Sequence, residues 1–292
     1  MDEPVRVGLV GAGPWAQMVH APALAAGPAT TLVGVWARRP DAAADLAAEH
    51  GAMGFENYDD LVAACEAVAF SVPPDVQVPL AITAARAGRA LLLEKPLGLD
   101  LDGAQRLADA VADAGVVSQV VLTWRYSSAV RSFLDKVRGL DALGGRGHFL
   151  TGGFRGGPFA TPWRVEHGPL LDLGPHVVDV LDAALGDVVR VRAHGDAKRW
   201  VGLMLEHNGG AVSEVSLTGW SAVEPMSAGV EVHASDAVHT LDCAAAIEPS
   251  TFVTMVSEFG HAVRSGTPHP IDAAHALRIQ RVLDQALRDL AA

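Results

Sequence analysis

The stretch Arg6-Val7-Gly8-Leu9-Val10-Gly11-Ala12-Gly13-Pro14-Trp15-Ala16 decides the fold. Arg6–Val10 reads as a strand that runs directly into a Gly-x-Gly turn, and the turn opens a helix over Trp15–Ala26. In such a strand–turn–helix the first glycine permits a tight bend and the second lets backbone approach a pyrophosphate. The third position must be small for the helix to pack on the strand, and Ala16 satisfies it. The helix N-terminus offers unpaired N–H groups and the positive end of its dipole to phosphates. Pro14 suits a first helical turn, where its missing N–H is not needed. A lone glycine pair is weak, but at the first strand-to-helix joint of an alternating series it predicts a dinucleotide site at Gly11, Gly13, Pro14 and Trp15.

The alternation continues outward from that turn. Thr31–Ala37, Val68–Ser71, Ala90–Leu93 and Val116–Leu122 read as strands, and Asp41–His50, Asp59–Ala64, Val76–Ala87 and Asp102–Ala114 as helices. Apolar strands alternating with helices predict a doubly wound parallel sheet covered on both faces, an N-terminal Rossmann domain over residues 1–122. After Trp124 the pattern changes. A helix at Ser127–Arg138 leads into glycine-rich sequence, Gly144 to Gly157, with a strand around His148–Gly153, and a helix follows from about Pro169 to Leu185. Strand-like runs at Val188–Ala193, Val201–Glu206, Ala211–Leu217, Gly229–His233 and Val238–Leu241 then arrive without helices between them. Residues 123–292 are therefore read as an α+β domain with a largely antiparallel open sheet. Its closing helices, Phe252–Ser265 and Asp272–Leu290, are candidates to pack back on the first domain.

The end of the second strand bears on the choice of dinucleotide. Val35-Trp36-Ala37-Arg38-Arg39-Pro40 has no carboxylate for ribose hydroxyls and has two arginines that suit a 2′-phosphate. Ala37, Arg38 and Arg39 thus favour NADP over NAD, although two solvated arginines capping a loop would leave the choice open.

Bulk composition narrows the partners. Half of the 292 residues are apolar, 19% are charged and the formal charge is −12. An acidic surface repels a phosphate backbone, so no nucleic-acid partner is expected. Cys65 and Cys243 stand in no spaced motif and read as inert thiols of a reducing compartment. The opening Met1-Asp2-Glu3-Pro4 is acidic where a signal peptide is basic. No apolar run approaches the roughly 18 residues of a membrane span. A soluble, cytoplasmic protein without a membrane partner is expected.

Two further stretches carry chemistry: Glu94-Lys95-Pro96, and Gly168-Pro169-Leu170-Leu171-Asp172-Leu173-Gly174-Pro175-His176-Val177-Val178-Asp179. Oxidising an alcohol needs a base for the hydroxyl proton while hydride leaves, and reduction needs the matching acid. Asp172 and His176 are spaced i, i+4, so one helix face would present both. Histidine exchanges protons near neutral pH, and Asp172 can orient or polarise its neighbours. Lys95, at the carboxyl end of a parallel strand, lies where such sheets hold ligands and could stabilise a substrate oxygen. Asp172, His176 and Asp179 alone do not make a metal set, and no metal is expected.

Taken together, these motifs resemble the glucose–fructose oxidoreductase / inositol 2-dehydrogenase / rhizopine-catabolism family of NAD(P)-dependent oxidoreductases. The resemblance implies hydride transfer to or from a small sugar, polyol or cyclitol, with Lys95 and His176 handling the proton and Asp172 supporting them. It implies further cofactor contacts at Ser71, Pro73, Glu94 and Lys95. Arg125 in Trp124-Arg125-Tyr126 and Arg164 after Trp163 are candidates to bind substrate, as are Lys95, Asp172 and His176. A homodimer or homotetramer through the C-terminal sheet is implied as well. The chain departs from the family in a short segment between Trp163-Arg164 and Gly168, and in Gln77, where many members carry histidine or asparagine. A dinucleotide-sensing regulator without catalysis and a glycosidase that retains NAD are the alternatives on the same fold.

Overall fold

The computed structural model describes residues 3–292, so Met1 and Asp2 of the acidic opening lie outside the described residues. The chain forms two compact units, Met1–Val121 with Phe252–Leu277, and Leu122–Thr251 with Arg278–Ala292.

The first unit is built on six parallel strands, β1 (Val5–Val10), β2 (Thr30–Trp36), β3 (Met53–Phe55), β4 (Ala67–Phe70), β5 (Ala90–Leu93) and β6 (Ser118–Val120). Their order is β3-β2-β1-β4-β5-β6, the doubly wound arrangement that reverses between β1 and β4 and leaves a crevice at their carboxyl ends. Every residue of β4 and β5 is buried, as expected for strands covered on both faces. The covering helices are α1 (Ala21–Ala25), α2 (Pro40–Glu49), α3 (Tyr58–Ala64), α4 (Pro74–Arg86) and α5 (Leu101–Ala114). A π-turn, Ala16–His20, precedes α1 within the segment predicted as one helix. Strand β3 has no counterpart among the predicted strands.

An ion-pair cluster ties α9 (Pro249–Ser265) into this unit. Arg264 donates to both oxygens of Glu66, at 2.7 and 3.1 Å, and to the carbonyls of Glu3 and Pro4. Its guanidinium, with help from Arg6, holds the Glu66 carboxyl down to about 2. The unfolded chain therefore takes up a proton near pH 4.5 that the folded chain refuses until about pH 2. The stabilisation is complete above the unfolded value and is lost as pH falls through that window. Arg264→Ala is expected to remove this acid-sensitive component and to lower Tm at pH 6 by about 2–4 °C. That shift corresponds to ~1 kcal/mol, a partly solvated pair being screened. Thermal melts of both proteins from pH 6 to pH 3 measure it, and parallel curves would refute the assignment.

The second unit begins with a one-turn helix, Thr123–Tyr126, and α6 (Ser128–Val137). It continues through β7 (Ala142–Leu150), α7 (Pro162–Asp172), α8 (Gly174–Leu185), β8 (Val188–Gly195), β9 (Trp200–His207), β10 (Val212–Thr218), β11 (Ser227–Ala234) and β12 (Val238–Asp242). The sheet order is β12-β11-β7-β10-β9-β8, antiparallel except where β7 pairs with β10. Helix α8 packs on one face, while Trp200, Met204 and Val212 alternate outward on the other. The last helix, α10 (Ala273–Leu290), has residues in both units.

Two expectations need correction here. The strand placed around His148–Gly153 runs instead over Ala142–Leu150. Its glycines are packing positions: a Cβ on Gly147 would stand 2.4 Å from Val177 Cγ1, and one on Gly145 would stand 3.0 Å from Leu185 Cδ1. Glycine inside a strand marks such a close approach. The helix expected from Pro169 to Leu185 is two helices, with Asp172 ending α7 and His176 in the first turn of α8. Pro175 has no N–H to continue the helical ladder, and His176 N–H turns to Leu173 O at 3.3 Å.

Both cysteines are buried free thiols, and burial pushes the Cys243 thiol up to about 12. Among the described residues no helix is long and apolar enough to cross a membrane.

Candidate functional site

In the first unit the glycine turn floors a cavity of about 380 Å³. Gly11 N–H bonds Trp36 O at 2.8 Å and Ser71 N–H bonds Val10 O at 2.8 Å, so the ends of β1, β2 and β4 converge there. Gly11 has φ +117°, and a Cβ on it would stand 2.3 Å from Ser71 O. Gly13 differs: a Cβ there would meet nothing within 4 Å. The first glycine is thus required by the protein itself, whereas the second borders open space. Of the expected cofactor residues, Gly11, Gly13, Ala37, Arg38, Arg39, Ser71 and Pro73 line the cavity, together with Ala12, Trp36 and Val72. Among the described residues no carboxylate lines it. A cradle that a single methyl group would obstruct, beside two guanidinium side chains, fits a pyrophosphate and its ribose.

Pro14, Trp15, Glu94 and Lys95 do not line that cavity. Trp15 Nε1 donates to Glu94 Oε1 at 2.8 Å, and His20 Nε2 meets the same oxygen at 2.8 Å. Glu94 Oε2 accepts the N–H of Lys95 at 3.2 Å. Gln77 is fully buried and grips the backbone on the other side. Its Nε2 donates to Glu94 O at 2.9 Å and to Leu97 O at 3.3 Å, while its Oε1 accepts from Glu94 N at 2.8 Å. The Glu94 carboxylate, expected among cofactor contacts, thus organises the protein's own Glu-Lys-Pro segment. His20 and Gln77 carried no motif signal as members of this network.

In the second unit Asp172 and His176 are both buried. Arg164 Nε lies 3.2 Å from Asp172 Oδ2, within ion-pair distance though off-line for a hydrogen bond. Its guanidinium also lies over Trp163 and Phe159, at 5.3 and 5.6 Å from the ring centroids. Arg125 Nη1 donates to Asp179 Oδ1 at 2.9 Å. Both arginines, expected to bind substrate, are therefore engaged with carboxylates of α7 and α8. Each arginine pairs with a buried carboxylate, which would be costly to leave unpaired. The His176 ring sits against Trp124 and Phe149, with centroids at 5.5 and 6.4 Å.

Gly168 sets the approach to Asp172. It has φ +79° and ψ −179°, and a Cβ on it would stand 2.2 Å from Ala197 O and 2.4 Å from Lys198 Cα. The kink there starts a fresh helical run at Pro169, as expected when proline excludes the preceding residue from the helical region. Lys95 belongs to the first unit, and Asp172 and His176 belong to the second. Among the described residues no group of three His, Cys, Asp or Glu side chains is placed to hold a metal.

Residues 5–122 match a family described as oxidoreductases with an NAD-binding Rossmann fold. The chain is 30% identical over 197 residues to dTDP-3,4-didehydro-2,6-dideoxy-alpha-D-glucose 3-reductase of Streptomyces violaceoruber, a match covering 64% of this chain and 56% of the relative. It is 28% identical over 186 residues to glucose-6-phosphate 3-dehydrogenase of Bacillus subtilis, covering 60% of this chain and 52% of the relative. The matches thus span about half the length of these curated relatives. Among solved structures, GenD2 from gentamicin A biosynthesis in complex with NAD superposes with a TM-score of 0.89 at 25% identity, covering 100% of this chain and 95% of that one.

Proposed function

We propose that the chain, whose residues 5–122 match an oxidoreductase family with an NAD-binding Rossmann fold, interconverts an alcohol and a carbonyl on a sugar-like substrate. The nicotinamide, when bound, supplies or accepts the hydride. The observation that carries the reading is the Gly11–Gly13 cradle, closed by the protein at the first glycine and open at the second.

The cavity lining supports NADP as the preferred dinucleotide. Arg38 and Arg39 are present on its wall, and no described carboxylate competes for the ribose. Lys95 and His176 are assigned the proton that leaves or joins the substrate oxygen. Asp172, ion-paired with Arg164, is assigned to support them. The substrate is a pyranose with a reactive secondary carbon. Two relatives act at position 3 of a hexose by their names, and position 3 is the first regiochemistry to examine.

Titration with NADPH and NADH, followed by nicotinamide fluorescence, tests the reading. NADPH is expected to bind at least tenfold more tightly, about 1.4 kcal/mol, and Arg38→Ala with Arg39→Ala is expected to abolish that difference. Absence of binding by either dinucleotide would remove the basis of the assignment. Equal affinities would leave the oxidoreductase and remove the NADP preference.

A further inference from the structure

Trp15 and His20 lie five residues apart, a spacing that an ordinary α-helix directs to faces about 140° apart. Both nevertheless reach one atom, Glu94 Oε1, at 2.8 Å each. The π-turn Ala16–His20 accounts for this. It is closed by Ala21 N–H to Ala16 O, and i→i+5 pairing widens the turn until residues five apart come into line. The target carboxylate is buried, and His20 is fully so. His20 Nδ1 has no hydrogen-bond partner among the described residues. With hydrogen on Nε2 the ring donates to Glu94 and leaves only an acceptor unmatched.

Single-turn π-bulges within helices occur disproportionately at functional sites. Here the bulge immediately follows the glycine turn, and its two side chains fix the carboxylate that receives the Lys95 N–H. Gln77 fixes the same segment from the opposite side through three hydrogen bonds. We propose that the π-turn is a clamp for Lys95, in which Trp15 and His20 hold the Glu94 carboxylate and thereby set where the lysine side chain leaves the backbone. His20 is a positioning residue, and its importance rests on the reading of Lys95 as a proton-handling group. The arrangement also registers Lys95 against the glycine turn, since Trp15 is two residues beyond Gly13.

The test uses the intact chain and needs no known substrate. Its lysines are Lys95, Lys136 and Lys198, and the latter two are exposed. Trace acetylation with acetic anhydride, read by peptide mass spectrometry, therefore follows Lys95 against internal references. His20→Leu is expected to raise Lys95 labelling relative to Lys136 at least fivefold and to displace its pH profile. His20→Gln, whose amide nitrogen can replace the imidazole Nε2–H, is expected to restore the ratio to within about twofold. Trp15→Phe, which keeps a ring but loses the donor, is expected to fall between them. Wild-type labelling in a folded His20→Leu protein would overturn the clamp. Should that variant fail to fold, wild-type labelling in Trp15→Phe would overturn it instead. Failure of the parent reading looks different: NADPH and NADH would not bind the unmodified protein, whatever the labelling showed.

Discussion

His176→Ala is expected to lower kcat by about 10²–10⁴-fold, the usual contribution of a positioned proton-transfer group, while leaving dinucleotide affinity within about twofold of the parent. The expectation starts from how firmly the ring is held. His176 is buried, lies against Trp124 and Phe149, and follows a helix break whose position is imposed by Pro175. One turn later, Asp179 of the same helix is anchored by Arg125. Such fixation makes sense for a group that must meet a substrate oxygen within a narrow range of geometry. Histidine also has the pKa range for exchanging that proton near neutrality. The measurement is steady-state kinetics on the best substrate from a hexose screen, with nicotinamide fluorescence as the binding control. Asn at 176 keeps a polar group but cannot act as a base, so His176→Asn should be nearly as slow. Turnover within threefold of the parent in either variant would exclude His176 from proton transfer.

The second large effect separates the two glycines of the turn. Gly13→Val is expected to fold normally and to lose at least 100-fold in dinucleotide affinity, about 2.7 kcal/mol. The methyl groups would enter space that the protein leaves open, since even a Cβ there meets nothing within 4 Å. Gly11→Ala is expected to damage the fold as well. Its φ of +117° is foreign to side-chain-bearing residues, and the added carbon would lie 2.3 Å from Ser71 O and 2.9 Å from Ser71 C. The backbone conformation alone costs about 1–3 kcal/mol, before β1 and β4 shift apart to relieve the overlap. Thermal melts and NADPH titrations of the two variants therefore give opposite patterns. Gly13→Val should keep Tm and lose binding, whereas Gly11→Ala should lose both. Retention of parental affinity by Gly13→Val would mean that the open space beside that glycine is not where the phosphates sit.

Much of the first unit was legible because its signals are local. The glycine turn sits on contiguous residues, and β4 and β5 are uninterrupted apolar runs whose burial follows from composition alone. Strand β3 escaped because Met53–Phe55 is only three residues long, with a glycine at its centre and two exposed positions. The break between Asp172 and His176 was readable in principle from Gly174-Pro175, but the i, i+4 spacing of two functional residue types favoured one helix. The glycine-rich start of β7 is missing from the strand read around His148–Gly153 because nothing local shows that Val177 and Leu181 press against Gly147. The engagement of Arg125 was hidden for a related reason. The Arg125–Asp179 pair spans 54 residues of sequence, and Trp15 reaches Glu94 across 79. Periodicity reports which face is apolar. It does not report which buried carboxylate a distant arginine or indole will meet, nor that five residues form a π-turn.

The division of the chain has a consequence for how such a protein can change over generations. The first unit is discontinuous: Met1–Val121 is completed by Phe252–Leu277, after the chain has built most of the second unit. A recombination event with a single junction near residue 122 would exchange α9 along with everything downstream, and would discard the Arg264–Glu66 anchor. Exchange of the second unit with the cradle intact needs paired junctions, near 121/122 and 251/252. Even then Arg278–Ala292 would remain from the older parent, and Asp289, which accepts from Ala193 N and Arg192, would have to suit the incoming strand β8. Modular inheritance in this architecture is therefore an insertion problem with a tail attached, which favours gradual substitution within residues 122–251 over wholesale replacement.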